Sequence, residues 1–166
     1  MKSLIFIVVI FFTFKVFAAC DDEAGKEVDW NGCSFEENQE LLGVSLVGAQ
    51  MEGVNLSLAN LEKSQISNAN MVAGNFVFTN FSSSNLFLSN LQYANCSNVN
   101  FNNSNLAKVN FEGANLHSAT FKGANLYEAN LIGANIMSAV FDEANLSGAT
   151  WVDGKTCALG SVGVCN

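Results

Sequence analysis

Ala114-Asn115-Leu116-His117-Ser118, Ala119-Thr120-Phe121-Lys122-Gly123, Ala124-Asn125-Leu126-Tyr127-Glu128 and Ala129-Asn130-Leu131-Ile132-Gly133 are successive copies of one five-residue pattern. A small residue opens each copy, a polar residue follows, and a large apolar residue stands third. Working outward from Leu116, the apolar centre recurs at Phe111, Leu106, Phe101, Cys96, Leu91, Leu86, Phe81, Phe76, Met71, Ile66, Leu61, Leu56, Met51, Leu46 and Leu41. In the other direction it recurs at Phe121, Leu126, Leu131, Ile136, Phe141, Leu146 and Trp151. That makes 23 consecutive matches without an insertion, with Ala, Ser, Val or Thr two residues earlier in 21 of them. Asn immediately precedes the centre 16 times. Such a register marks an internal repeat.

The period excludes the common elements. Five residues on an α-helix rotate by roughly 140°, so the centres would smear around the cylinder. On a straight strand an odd spacing would flip successive centres between faces. Only a chain that bends in every repeat keeps all the centres inside. Each repeat therefore reads as a very short extended edge plus a turn, with the centre and the small residue inward and Asn outward.

Ala114-Asn115-Leu116, Ala124-Asn125-Leu126, Ala134-Asn135-Ile136 and Ala144-Asn145-Leu146 resemble the signature of pentapeptide-repeat proteins. The resemblance implies an all-β fold, a right-handed quadrilateral β-helix with four repeats per turn, here about 23 repeats in nearly six coils. A stride of twenty sorts the centres accordingly. Leu41, Leu61, Phe81, Phe101, Phe121 and Phe141 fall in one column, and Leu46, Ile66, Leu86, Leu106, Leu126 and Leu146 in the next. A Phe ladder beside a Leu ladder is expected.

The composition follows from that coil. The chain has 166 residues, 49% apolar and 13% charged, with 23 Asn and no Pro. Pro is excluded because nearly every backbone N–H is wanted by a neighbouring coil. Asn is expected at the corners, where its side chain bonds nearby backbone and tolerates turn conformations. The sequons starting at Asn55, Asn80, Asn95, Asn102 and Asn145 follow from an Asn-rich repeat and say little about glycosylation.

The start of the chain reads differently. Met1-Lys2 leads into the apolar run Leu4–Phe14, then Lys15 and Val16-Phe17-Ala18-Ala19-Cys20. This pattern predicts a signal peptide over 1–18 and an exported, periplasmic or secreted protein. The alternative is a lipoprotein anchored to a membrane through Cys20. Without the leader, five cations face fifteen anions, a net charge of −10.

A stacked coil needs caps at its ends. Segment 19–40 is expected as the N-terminal cap, 41–151 as the β-helix and 152–166 as the C-terminal cap. An exported chain keeps disulfides. Four end cysteines allow three connectivities, and the pairs Cys20–Cys33 and Cys157–Cys165 are expected because each closes a local loop at its own end. The tail from Trp151 to Cys165 also resembles the cysteine-closed tail of some exported bacterial members. Cys96 holds a centre position and is expected to be a buried free thiol.

Residues suited to chemistry are scarce. There is one His and no Arg, and the 7 Lys are outnumbered by 15 acidic residues. This disfavours a basic nucleic-acid surface and phosphate chemistry. His117 follows a centre and is expected to face solvent. No metal, cofactor or small-molecule substrate is expected, and neither is enzymatic activity.

Outward positions should be polar, yet Leu58, Val72, Val77, Phe78 and Tyr93 map to two adjacent sides of the coil, with Phe87 and Leu88 on another. They are the candidate surface for an unknown protein partner. A homodimer through an end cap is also allowed. The function expected is a non-enzymatic exported structural or interaction module. The alternative is an acidic DNA mimic of the gyrase-protecting type, which the leader and the sparse acidic columns disfavour. An ice-binding face would need a Thr ladder, and Thr79, Thr120 and Thr150 do not form one.

Overall fold

A computed structural model of the chain describes residues 20–35 and 38–166. The expected leader 1–18 and the cap carboxylates Glu36 and Glu37 lie outside the described residues.

Parallel pairings join residues twenty apart: Glu40 with Asn60, Asn60 with Asn80, Asn80 with Asn100, and Asn100 with Thr120, and likewise on the other sides. Four repeats thus complete one turn. The backbone alternates between the two neighbours. Leu61 N–H donates to Asn80 O at 2.8 Å, while Asn80 N–H donates to Ala59 O at 2.9 Å. Each repeat contributes a single bridging residue and never a strand, because the chain turns immediately afterwards. Ala59 N–H closes that turn on Leu56 O at 3.2 Å. The second corner residue is left-handed, with φ of 62° at Leu58, 59° at Lys63 and 59° at Asn68.

The Asn that precedes each centre does not occupy that left-handed corner, and here the sequence expectation is corrected. It sits on the flat side, at the bridging position, and serves the corner through its side chain. Asn55 Oδ1 accepts Ser57 N–H at 3.2 Å, and Asn80 Oδ1 accepts Ser82 N–H at 3.1 Å. The amide then bonds along the rod: Asn75 Nδ2 donates to Asn55 Oδ1 at 2.9 Å, and Asn145 Nδ2 to Asn125 Oδ1 at 3.0 Å. One side chain therefore fastens both its own turn and the next coil.

The centres fill the axis. Phe81, Phe101, Phe121 and Phe141 stack with successive ring centroids 5.4, 5.2 and 4.8 Å apart. Phe76, Phe81, Phe101, Phe111 and Phe121 are fully buried, as is Cys96. Burial pushes the Cys96 thiol up, away from the reactive thiolate. Inward hydroxyls bond a carbonyl of the preceding coil, as in Thr79 to Leu56 O at 2.8 Å, Ser84 to Leu61 O at 2.6 Å and Ser89 to Ile66 O at 2.7 Å, or of their own turn, as in Ser104 to Phe101 O at 2.6 Å. A buried hydroxyl is tolerated because it is paired.

The two ends are finished differently. At the N-terminus, parallel pairing reaches back beyond residue 41, with Asp29 bridging Gln50 and Ser34 bridging Asn55. These pairs are 21 residues apart, so one extra residue lies between Phe35 and Leu41. Trp30 and Phe35 act as further centres, their rings 4.7 Å apart, and Trp30 is 2% exposed. Cys33 points inward and bonds Cys20.

At the C-terminus the tail reverses at Gly154, where φ is 84°. It then pairs antiparallel with the last coil, Thr150 with Thr156 and Asn145 with Val162. Cys157–Cys165 closes it. Both disulfides are the local pairs expected from the sequence.

Candidate interaction surface

The turns form the corners of the coil. Each has two outward residues, and the second adopts φ near +60°, a conformation costing an L-residue roughly 1–2 kcal/mol. Glycine takes it at Gly43, Gly48, Gly53, Gly113 and Gly123. Asn, Ser, Lys and Glu fill many others. Leu58, Phe78, Leu88 and Tyr93 hold it with φ of 62°, 58°, 60° and 60°. They are also 37%, 57%, 47% and 61% exposed. These four large side chains are therefore placed where both backbone and solvent oppose them.

The sequence-predicted residues occupy three successive corners. Leu58 and Phe78 stand one above the other, twenty residues apart, with Val77 beside Phe78. Val72 and Tyr93 belong to the next corner, and Phe87 and Leu88 to the one beyond. Val72, Val77 and Phe87 are first corner residues and are half-buried. The Tyr93 ring lies over Gly113 of the following coil, where an added Cβ would come within 2.6 Å of it. Glycine at 113 therefore leaves room for the edge of this ring beside the following coil.

The expectation that His117 faces solvent is corrected as well. Its residue is half-buried, and Nδ1 is shielded with no hydrogen-bond partner among the described residues. Its N–H is held by Asn115 Oδ1 at 3.2 Å.

Among the described residues the ion pairs lie at the surface. Lys108 Nζ lies 3.2 Å from Glu128 Oε2. Glu128 is held below the usual carboxylate range chiefly by the Tyr127 hydroxyl and then by Lys108. Asp153 is likewise lowered, through its hydrogen bond with Lys155 at 2.8 Å. Among the described residues no cluster of His, Cys, Asp and Glu could hold a metal, and no cavity of ligand size is present.

A second apolar region escaped the sequence reading. Met137 is 63% exposed and Val140 40%, and Leu159, Val162 and Val164 of the tail are more than half exposed. Val140 carried a signal: it ends the outward column Asn60, Asn80, Asn100, Thr120 with the one apolar residue in that series.

Comparison with known proteins follows the geometry. The family model for pentapeptide repeats matches in eight copies over residues 40–71, 84–123, 94–131 and 114–150. No curated protein matches. Among solved structures, HetL from the cyanobacterium Nostoc sp., a pentapeptide repeat protein involved in heterocyst differentiation regulation, is 21% identical with a TM-score of 0.36, over 80% of this chain and 75% of that one. A pentapeptide repeat protein of the Arabidopsis thaliana thylakoid lumen is 17% identical with a TM-score of 0.47, over 64% and 70%. Trypsin-treated QnrB1, a plasmid-mediated fluoroquinolone resistance protein, is 17% identical with a TM-score of 0.47, over 82% and 78%. Proteins built from this repeat are right-handed quadrilateral β-helices. With repeat matches over most of its length and pairings every twenty residues, the chain belongs to the pentapeptide-repeat family.

Proposed function

We propose that this protein is an exported, non-enzymatic rod of about 23 repeats in nearly six coils, whose corners present apolar side chains to a protein partner. The observation that carries the reading is the set Leu58, Phe78, Leu88 and Tyr93, exposed at corners with φ near +60°. Gly or Asn would fit those positions with less strain and better hydration. Apolar residues gathered on rigid neighbouring corners have the character of a contact surface.

Several features support the rest. Two disulfides are consistent with an oxidising, exported environment. The Cys20–Cys33 bond uses the sulfur that a lipid would need, which favours a soluble form over the lipoprotein alternative. The interior is filled by ring stacks, leaving reactive groups nothing to converge around. A DNA mimic would need carboxylates in dense outward columns, whereas Ser82, Asn102 and Lys122 separate Glu62 from Asp142 in one column and Val72 and Gln92 separate Glu52 from Glu112 in another.

The test is crosslinking in the native envelope with wild type and with Phe78→Ser/Tyr93→Ser. The variant is expected to keep the circular dichroism of the rod and lose the crosslinked protein. An unchanged crosslinking pattern refutes the corner surface. Intact mass of the accumulated protein decides cleavage, and should lie four hydrogens below the reduced form.

A further inference from the structure

From Ser64 to Ala107 the chain has no Lys, Arg, His, Asp or Glu, so all 7 Lys and all 15 acidic residues lie elsewhere. One turn takes twenty residues, so this stretch winds more than twice around the rod. The result is a band without formal charge on every side of an acidic protein. Interspersed charge keeps an unpartnered surface soluble. Its depletion marks the centre of an interface, where a desolvated ion would be unfavourable.

The apolar corner residues Val72, Val77, Phe78, Phe87, Leu88 and Tyr93 all lie inside the band. Phe78 and Leu88 are ten residues apart, half a turn, so they stand on opposite corners. Tyr93 stands on a corner between them. The fourth corner carries Ser82, Ser83, Asn102 and Asn103 at this height. A flat partner touches two neighbouring corners of a four-cornered prism and never two opposite ones. The described residues form no cavity, so a second copy of the rod could not enclose the first.

The two sides that meet at the Tyr93 corner also differ in how their asparagines bond. Asn70 and Asn90 lie on one of these sides, Asn75 and Asn95 on the other. Each Oδ1 holds its own turn, but Nδ2 of Asn70, Asn90 and Asn95 donates to nothing among the described residues. Asn75 is the exception, bonding Asn55. On the other two sides Asn80, Asn85 and Asn105 all donate through Nδ2, and Asn100 is the exception. Free amide donors thus gather on the sides that the apolar corners bracket.

Resting on the corner surface proposed above, we propose that its partner is a protein with an uncharged, apolar-walled cleft that clasps the rod around the Tyr93 corner. The walls cover Phe78 and Leu88, and the floor covers Tyr93. Carbonyl groups of the cleft accept the free amide hydrogens of Asn70, Asn90 and Asn95. The Ser82-Ser83 corner stays in the mouth of the cleft, in water. Branched side chains such as Leu58 and Leu88 suit a protein wall, whereas a neutral polysaccharide would want a flat ring on each corner. Such a contact is held by apolar burial and hydrogen bonds, so it is insensitive to salt, unlike docking by opposite charges.

The test replaces Phe78, Leu88, Tyr93 or Ser83, one at a time, by photoreactive p-benzoylphenylalanine in the full chain within its native envelope. Irradiation is expected to join one and the same protein to positions 78, 88 and 93, and nothing to position 83. The yield should change by less than about two-fold between about 0.05 and 0.5 M NaCl. Asn90→Asp/Asn95→Asp keeps the oxygen each turn uses while adding charge to the clasped sides, and should lower the yield at position 93 at least ~10-fold. Asn100→Asp, the matched change on an unclasped side, should leave it unchanged. Circular dichroism of both variants is expected to match wild type. Different proteins at 78 and 88, or an adduct at only one of them, overturn the clasp and leave the corner surface standing. Adducts at all four corners, a carbohydrate adduct, an adduct of twice the chain's mass, or an equal loss with Asn100→Asp also overturn the clasp. The absence of any adduct overturns both.

Discussion

The N-terminal and C-terminal ends of this rod meet the same requirement in opposite ways. The N-terminal segment prolongs the coil, with Asp29 and Ser34 bridging in parallel, Trp30 and Phe35 as further centres, and Cys33 turned inward. The C-terminal segment reverses, bridges antiparallel, and among the described residues covers only the Leu146 and Trp151 sides of the last coil. Prolonging the coil buries the cap's own side chains in the axis. Reversing it satisfies backbone groups but adds little core, since Leu159, Val162 and Val164 stay exposed. The N-terminal cap should therefore be held by packing and the C-terminal cap by its hydrogen bonds and its disulfide.

Trp30→Ala is the strongest way to break that contrast. It empties a fully buried site and should cost about 3–5 kcal/mol, read by urea unfolding and by loss of amide protection over residues 28–35. If the loss is below ~1 kcal/mol, packing does not hold this end. Next come the disulfides. Cys20→Ser/Cys33→Ser and Cys157→Ser/Cys165→Ser should each lower stability by up to ~3 kcal/mol. Their loops, with separations of 13 and 8, differ by only about 0.4 kcal/mol in closure entropy. A larger gap on the Cys20–Cys33 side would measure the extra burial of Cys33.

Ser89→Ala sharpens the comparison from the middle of the rod. It removes the hydroxyl donor to Ile66 O and should cost about 1–2 kcal/mol in chemical denaturation. Phe78→Asn is expected to act the other way, raising the midpoint by the equivalent of at most ~1 kcal/mol as corner strain falls. The smallest effect concerns pH. Asp153 is lowered by Lys155 in the folded tail, so its contribution is present above the ordinary carboxylate range and is lost as pH falls through the lowered value. Both groups are exposed, so Asp153→Asn should flatten the acid limb of the melting curve only slightly.

How much of this was legible follows from what repeats. The centres, the twenty-residue columns and the Phe stack are written in side-chain size at a fixed spacing, and they could be read directly. The left-handed corner was harder to place, since Leu58, Phe78 and Tyr93 are residues that ordinarily avoid it, and the abundant Asn drew attention to the neighbouring position. Trp30 and Phe35 were hidden by the one extra residue before Leu41, which breaks the register while preserving the pairing. The open C-terminal edge has no residue signature beyond Val140, because unpaired backbone is a property of where the chain stops folding over itself. His117 was misjudged since alternation describes direction, while shielding depends on what lies in the adjoining coils.

The asparagine columns have one more consequence. In each bonded amide pair the later coil's Nδ2 donates and the earlier coil's side-chain carbonyl oxygen accepts, as in Asn85 to Gln65 Oε1, and Asn105 to Asn85, Asn125 to Asn105 and Asn145 to Asn125 Oδ1. The same sense holds for Asn115 to Asn95 and Asn135 to Asn115. Side-chain amides on different sides of the prism therefore point one way along its axis, like the molecules of a polar crystal. Chains of aligned hydrogen bonds polarise one another. The rod thus has an electrical direction independent of its charged residues: amide hydrogens face the Trp30 end and amide oxygens face the end that carries Ile136 and Phe141.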